Sequence, residues 1–253
     1  MSGNALKGLI RALVKAGFAL ADFVYPPFCS ICRKGLGEGE RIVCEACWSR
    51  MKRLPDPRCP RCGVPSAHPA SGCPNCAGKV FLFEGACVLS GFDGVAKELI
   101  HLLKYREKTS VGIRLGGMLA LAVEADQRMQ DAEVLVPVPL HRSRARERGY
   151  NQAAIIAKGL GLAMEKPVVE QVLIRRKATA TQTKLSAEER RRNLEGAFAV
   201  RDSHRVEGRR ILLVDDVLTT GATLNACAQV LRAAGAIEVL AAAVASPIRG
   251  ESV

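Results

Sequence analysis

The chain has 253 residues, 48% of them hydrophobic and 4% aromatic, with a formal net charge of +12. This suits one α/β domain plus a small module and is too apolar for a disordered chain. No apolar run reaches about 18 residues, so no transmembrane span is expected, and the scarcity of aromatic residues argues against a stacking platform for nucleobases, with Trp48 and Tyr150 the few candidates.

The charge is unevenly spread. Residues 1–80 carry +7 and residues 138–210 carry +9, whereas 81–137 and 211–253 each carry −2. Such a field favours polyanionic partners, either phosphorylated substrates or nucleic acid. A surface kept basic for solubility is the plain alternative.

Residues 4–23 read as a helix, with Lys7, Arg11 and Lys15 at four-residue spacing and Leu6, Leu9, Ile10, Leu13 and Phe18 on the other side. Lys15 interrupts the apolar core that an export signal needs. Residues 1–25 are therefore expected to form an amphipathic helix docked on its own protein, with membrane-surface contact left open. Pro26 and Pro27 end it.

Residues 26–80 form the next region. Eight of ten cysteines make four Cys-x-x-Cys pairs: Cys29/Cys32, Cys44/Cys47, Cys59/Cys62 and Cys73/Cys76. Eleven residues separate the first two pairs and ten the last two. A thiolate pair on a tight knuckle, repeated after a short hairpin, supplies tetrahedral sulfur ligation, so the region reads as a double zinc ribbon with two structural Zn2+ ions. Neighbouring pairs grouped in sequence are favoured; joining the first pair to the third is the open alternative. His68 is read as a bystander, and Cys87 and Cys227 as small apolar residues.

Residues 81–253 alternate strands and helices. Strands are expected at 86–92, 133–138, 171–175, 197–200, 211–215 and 237–245. Helices are expected after Asp93, a candidate N-cap, over about 110–126, from Gln152 to about 163, from Ser186 through Asn193, and from 222 to about Gly235. The fold class is α/β, with a mainly parallel sheet and helices on both faces. Arg142, Arg144, Arg146 and Arg148 follow the strand that ends at Pro137-Val138 and read as a basic loop.

The most informative stretch is Ile211-Leu-Leu-Val-Asp215-Asp216-Val-Leu-Thr219-Thr220-Gly221-Ala222-Thr223. A buried strand ends in two carboxylates, and a hydroxyl-rich turn leads into a helix. Backbone N–H groups and the helix dipole favour an anion there, while the carboxylates accept from sugar hydroxyls. A ligand with a ribose and a 5′-phosphate would satisfy both halves.

This segment resembles the phosphoribosyl-pyrophosphate (PRPP) motif of type I phosphoribosyltransferases at every position. The resemblance implies that Asp215 and Asp216 hold the ribose hydroxyls and that Thr219, Thr220, Gly221, Ala222 and Thr223 hold the 5′-phosphate, with Mg2+ accompanying PRPP. The loop after Val138 lies at a strand's carboxyl end, where ligands of open α/β sheets bind, so pyrophosphate contact is expected from Arg142, Arg144 or Arg148, and residues 176–190 are expected to form a hood loop with Gln182 and Arg190 as catalytic candidates. The whole chain resembles the ComF family of competence-associated, phosphoribosyltransferase-like proteins. The features that carry this are the double zinc ribbon, Lys104-Tyr105, Pro137-Val-Pro-Leu-His141 through Gly149-Tyr-Asn-Gln152, and Thr181-Gln-Thr-Lys-Leu-Ser186 with Arg190, Asn193 and Phe198.

That family implies a cytoplasmic protein linked to DNA uptake in natural transformation, with single-stranded DNA and competence or DNA-processing proteins as partners. Its acceptor substrate is not set by the resemblance. No glutaminase activity is expected, because a glutaminase domain and its N-terminal cysteine nucleophile are missing. The rival expectation is a non-catalytic, PRPP-responsive protein that binds single-stranded nucleic acid.

Overall fold

The computed structural model describes residues 27–67, 72–177 and 194–248. The expected N-terminal helix, His68, the Ser186–Asn193 helix, Gln182 and Arg190 lie outside the described residues. The chain divides into two compact units, Met1–Arg50 and Met51–Val253.

The first unit holds one ribbon. Cys29 N–H bonds the Lys34 carbonyl at 2.8 Å and Arg33 N–H returns to the Cys29 carbonyl at 3.0 Å, with Arg33 at φ 63°. Helix α1 (Glu45–Ser49) carries Cys47 and Trp48, and Trp48 is buried at 4% exposure, so it is packed rather than offered to a base.

The second unit opens with the same turn. Cys59 N–H bonds the Val64 carbonyl at 2.9 Å, and Gly63 N–H bonds the Cys59 carbonyl at 2.8 Å with φ 74°. The chain then forms β1 (Gly85–Gly91), α2 (Gly94–Tyr105), α3 (Thr109–Val123), α4 (Gln127–Gln130) and β2 (Val134–Pro137). Next come α5 (Arg142–Arg148), α6 (Gln152–Met164), β3 (Leu173–Arg175), β4 (Phe198–Val200), β5 (Arg210–Val217), α7 (Ala222–Ala233) and β6 (Glu238–Ser246).

Four strands form one parallel sheet in the order β1-β6-β5-β2. Residues 167–169 extend its edge, where Leu135 N–H bonds the Pro167 carbonyl and Val169 N–H the Leu135 carbonyl, at 2.9 and 2.8 Å. β3 and β4 form a separate antiparallel pair rather than joining the main sheet.

Parallel strands buried on both faces read as continuous apolar runs, because each face needs its own cover. Val134, Val136, Ile211, Leu213, Val239, Ala241, Ala86 and Val88 face one core, shared with Leu224, Cys227, Ala228 and Leu231 of α7. The same core takes in Cys59, Cys62, Val64, Phe81 and Phe83 of the second ribbon and the linker after it. The intervening side chains, such as Leu135, Leu212, Val214, Leu240 and Leu89, are equally buried. On that side α3 packs on β1 and β6, α6 on β5 and β2, and the two helices pack on each other.

Two local expectations change. Asp93 stands at the N-cap of α2 but its side chain makes no capping bond. The expected basic loop at 142–148 is a helix. His141 caps it by accepting from Ser143 N–H, and Gly149, left-handed at φ 78°, ends it. Arginine and alanine are good helix formers, and a glycine just past the last turn is a strong stop.

Among the described residues no helix is long and apolar enough to cross a membrane.

Candidate functional site

The two cysteine groups come first, because their geometry limits what can fill them. In one, Cys29 and Cys47 sulfurs lie 3.8 Å apart and Cys32 and Cys44 sulfurs 3.6 Å apart. In the other, Cys59–Cys76 and Cys62–Cys73 are each 3.7 Å apart. All four sulfurs of each group lie within 4.8 Å of one another. Disulfide sulfurs sit about 2.05 Å apart, so none is formed. Four sulfurs about 2.3 Å from a central zinc would be about 3.8 Å apart at tetrahedral angles, which these distances match. The pairs are thus grouped in sequence: Cys29, Cys32, Cys44 and Cys47 together, then Cys59, Cys62, Cys73 and Cys76.

At Cys29 the knuckle backbone favours thiolate, whereas burial and the neighbouring sulfurs raise Cys47 and Cys76. Burial opposes ionisation of Cys29, yet backbone N–H groups of Cys44, Cys32 and Ile31 outweigh it and bring its pKa down to about 6. Two of those bonds run from Cys44 N–H at 3.4 Å and Ile31 N–H at 3.5 Å. Cys87 and Cys227 are different: burial pushes Cys87 up to about 12 and Cys227 well above its usual value, so both are neutral packing residues.

The acidic pair lies at the carboxyl end of β5. Asp215 and Asp216 are 9% and 5% exposed. Lys104 Nζ, at the end of α2, reaches Asp216 Oδ2 at 2.6 Å. Asp216 N–H donates to Asp215 Oδ1 at 2.8 Å. Burial first, then the neighbouring Asp216 charge, push Asp215 up to about 8 against the pull of that N–H and of Lys104. At neutral pH Asp215 therefore keeps its proton while Asp216 is paired with Lys104.

Arg175 is the second cation near the pair. Burial first, then the adjacent Arg144 charge, lower its pKa. Its guanidinium stands 5.4 Å from the Phe198 ring centre. The end of β3 reaches the site because Arg175 bridges to His141, just before α5.

Beyond the carboxylates the chain turns through Thr219, which is exposed, and Thr220, which is half-buried. Leu218 N–H bonds the Ala245 carbonyl at 2.9 Å, and Ala222 N–H meets Thr220 Oγ1 at 3.4 Å. Gly221 is the N-cap of α7, left-handed at φ 78°, and no side chain caps this helix. The N-cap residue itself offers no side-chain acceptor to the first turn, and Thr220 Oγ1 meets only Ala222 N–H, an arrangement suited to receiving phosphate oxygens.

β2 lies beside β5, with Pro137 opposite Val214 and Val138 N–H bonded to the Val214 carbonyl at 2.9 Å. This brings the start of α5 to the same sheet edge as the aspartates. Arg142, Arg144 and Arg146 are exposed. Arg148 is more engaged, donating to Gln152 Oε1 at 2.6 Å and standing 5.6 Å from the Tyr105 ring centre. Tyr150, the other candidate for stacking, donates its hydroxyl to the Leu103 carbonyl and is part of the packing.

Sequence reasoning gave Lys104 and Arg175 no place in the site. Lys104 had a signal, the Lys-Tyr after an apolar helix, without a partner assigned. Arg175 had none beyond a basic residue at a strand end.

The chain is similar to known proteins along most of its length. Residues 20–77 match the family described as Double zinc ribbon domain, and residues 146–253 the one described as Phosphoribosyl transferase domain. Sheet, acidic pair, helix cradle and paired cysteine sites define a phosphoribosyltransferase-like α/β protein with an N-terminal double zinc ribbon. "DNA utilization protein YhgH" of Escherichia coli K12 is 34% identical over 217 residues, covering 85% of this chain and 94% of that protein. "Competence protein F" of Haemophilus influenzae is 33% identical over 215 residues, covering 83% and 93%. "Competence protein ComFC" of Bacillus subtilis is 29% identical over 199 residues, covering 75% and 77%. The chain belongs to the ComF family of competence and DNA-utilization proteins.

Reduced, chelator-washed protein is expected to retain two zinc ions by elemental analysis, one for each cysteine group. Changing Cys29 and Cys32 to Ser should remove one and leave the other. Loss of both from a folded chain would overturn the independence of the two sites.

Asp215 makes stability pH-dependent. Its carboxyl titrates near 8 when folded and near 3.8 when exposed. Between those values the folded state holds the extra proton, so stability falls as pH rises through that window. Asp215→Asn is expected to melt close to wild type near pH 4 and about 5 °C or more above it near pH 8, both without ligand. A difference that does not change with pH would refute the buried proton.

Proposed function

We propose that this chain binds PRPP with magnesium at the carboxyl ends of β2 and β5 and transfers its phosphoribosyl group to a nitrogen nucleophile, serving DNA utilization. The observation that carries this reading is the buried Asp215–Asp216 pair directly ahead of the uncapped α7 N-terminus. Burying two carboxylates is costly and gives the fold no packing advantage. A ribose 5-phosphate group explains both halves at once.

In this reading Asp216 accepts from one ribose hydroxyl and Asp215 contacts the other. Lys104 pairs with Asp216 and holds its carboxylate in place before the ligand arrives. Thr219 to Thr223 donate to the 5′-phosphate through backbone N–H groups and the Thr220 and Thr223 hydroxyls. Departure of pyrophosphate from C1 leaves positive charge on the ribose and concentrates negative charge on the leaving group. Arg142, Arg144 and Arg148 neutralise that group, and the nearby Arg175 adds to the positive field. Magnesium accompanying PRPP would be held near Asp215 and Asp216 and would lower the negative charge the arginines must meet. Gln182 and Arg190 remain the catalytic candidates that the family resemblance supplies.

The relatives' names support a DNA-linked role, and the exposed α5 arginines supply a surface for its phosphates. Reduced thiolates and a phosphorylated metabolite both belong to a reducing compartment, so the cytoplasm is the proposed place of work.

Calorimetry tests the ligand. Wild type should bind Mg-PRPP, with Asp216→Ala and Thr220→Val each weaker by about tenfold or more. Equal affinity for all three proteins would reject the site.

Binding of a labelled single-stranded oligonucleotide should fall steeply with salt and depend little on sequence. Replacing Arg142, Arg144 and Arg146 by Ala should weaken it for every sequence and flatten the salt slope. Salt-independent binding, or none at low ionic strength, would leave α5 to the pyrophosphate alone.

A further inference from the structure

The second cysteine site is joined to the wall behind the 219–223 turn. Its knuckle is seated on β1. A Cβ at Gly63 would lie 2.9 Å from both the Ala86 carbonyl and the Val88 nitrogen, so only glycine permits the approach. Ala86 N–H bonds the Pro60 carbonyl at 3.2 Å, and Arg58 donates to the Val88 carbonyl at 3.0 Å. On the far side Cys76 N–H bonds the Cys73 carbonyl and Lys79 N–H the Cys76 carbonyl, each at 2.9 Å. These bonds fix the chain leaving this knuckle up to Lys79.

Residues 80–83 then meet the turn. Arg61, between the knuckle cysteines, donates to the Phe81 carbonyl at 3.0 Å. The Phe81 and Phe83 rings stand 5.0 Å apart, both buried. A Cβ on Gly221 would come within 2.7 Å of Phe81 Cε1, so the ring lies directly against the turn. Asn225, in the first turn of α7, completes the attachment. Its Oδ1 accepts from Leu82 N–H at 2.8 Å, and its Nδ2 donates to the Val80 carbonyl at 2.6 Å. Its own N–H bonds the Gly221 carbonyl at 2.8 Å. One side chain thus ties two backbone groups after the ribbon to the helix whose N-terminus forms the cradle.

We propose that the second cysteine site, through Phe81 and Asn225, positions residues 219–223 and so sets their affinity for a phosphorylated ligand. Phe81 and Asn225 are positioning residues. The inference rests on the reading of that turn as a phosphate site. Metal bound to Cys59, Cys62, Cys73 and Cys76 holds the knuckle on β1, the knuckle holds 80–83, and these hold the turn. With the metal gone, the turn loses its backing while the aspartates and the sheet remain.

The test uses the full zinc-loaded chain. Asn225→Ala and Phe81→Leu should each bind Mg-PRPP about tenfold or more weaker by calorimetry, with both zinc ions retained. Backbone amides of residues 217–225 should exchange faster in both variants without ligand. Cys76→Ser, expected to release one zinc, should raise the same exchange. Wild-type affinity and wild-type exchange in both Asn225→Ala and Phe81→Leu would overturn the proposal. If wild type itself binds no PRPP, the phosphate-site reading fails and exchange alone decides: faster exchange in the variants sustains the coupling, and unchanged exchange removes it.

Discussion

Two adjacent carboxylates withdrawn from water at the end of a central strand impose the constraint around which the second unit is arranged. An uncompensated buried charge costs several kcal/mol. The protein meets that cost differently at the two positions. Asp216 is paired with Lys104, which ties the end of α2 to the end of β5. Asp215 holds a proton and takes the next residue's N–H. Neither solution adds apolar burial, and both leave oxygen atoms at the carboxyl edge of the sheet, where ligands of open α/β folds bind.

The neighbouring elements follow from that edge. β2 lies beside β5, so the chain leaving β2 must pass the aspartates before α5 begins. The end of β3 bridges to His141, which brings Arg175 within electrostatic reach of Asp215. Cations from α2 and β3, and the arginines of α5, thus come to one sheet edge from distant parts of the chain. This offsets the acidic pair in the free protein and supplies positive charge for an anionic ligand.

The two ribbons use the same knuckle. The left-handed position is Arg33 in the first and Gly63 in the second. Arginine there accepts modest strain, but in the second knuckle β1 lies too close for any side chain. The second ribbon shares the core of α7 and the sheet, so its cysteine site is continuous with the domain carrying the aspartates.

Much of this protein was legible from sequence because the decisive features are local. Covalent spacing put each Cys-x-x-Cys on one knuckle. The run from Ile211 to Thr223 encoded strand, acidic pair, turn and helix start within one segment. Alternation of strands and helices carried the parallel sheet. Less local features are less legible. Arg142 to Arg148 has good helix formers and a glycine stop, yet its charge density suggests a solvated loop. β3 and β4 have the lengths of sheet strands, but which strands they join is decided by packing. The sequence by itself determined the thiolate sets, the acidic pair before a glycine turn, and the family. Only tertiary structure decided that neighbouring cysteine pairs share a site, that Lys104 answers Asp216, that Asp215 keeps its proton, and that Phe81 and Asn225 stand behind Gly221. The first group depends on bonds and residue spacing along one segment; the second depends on segments far apart in sequence, whose meeting is set by burial and close packing.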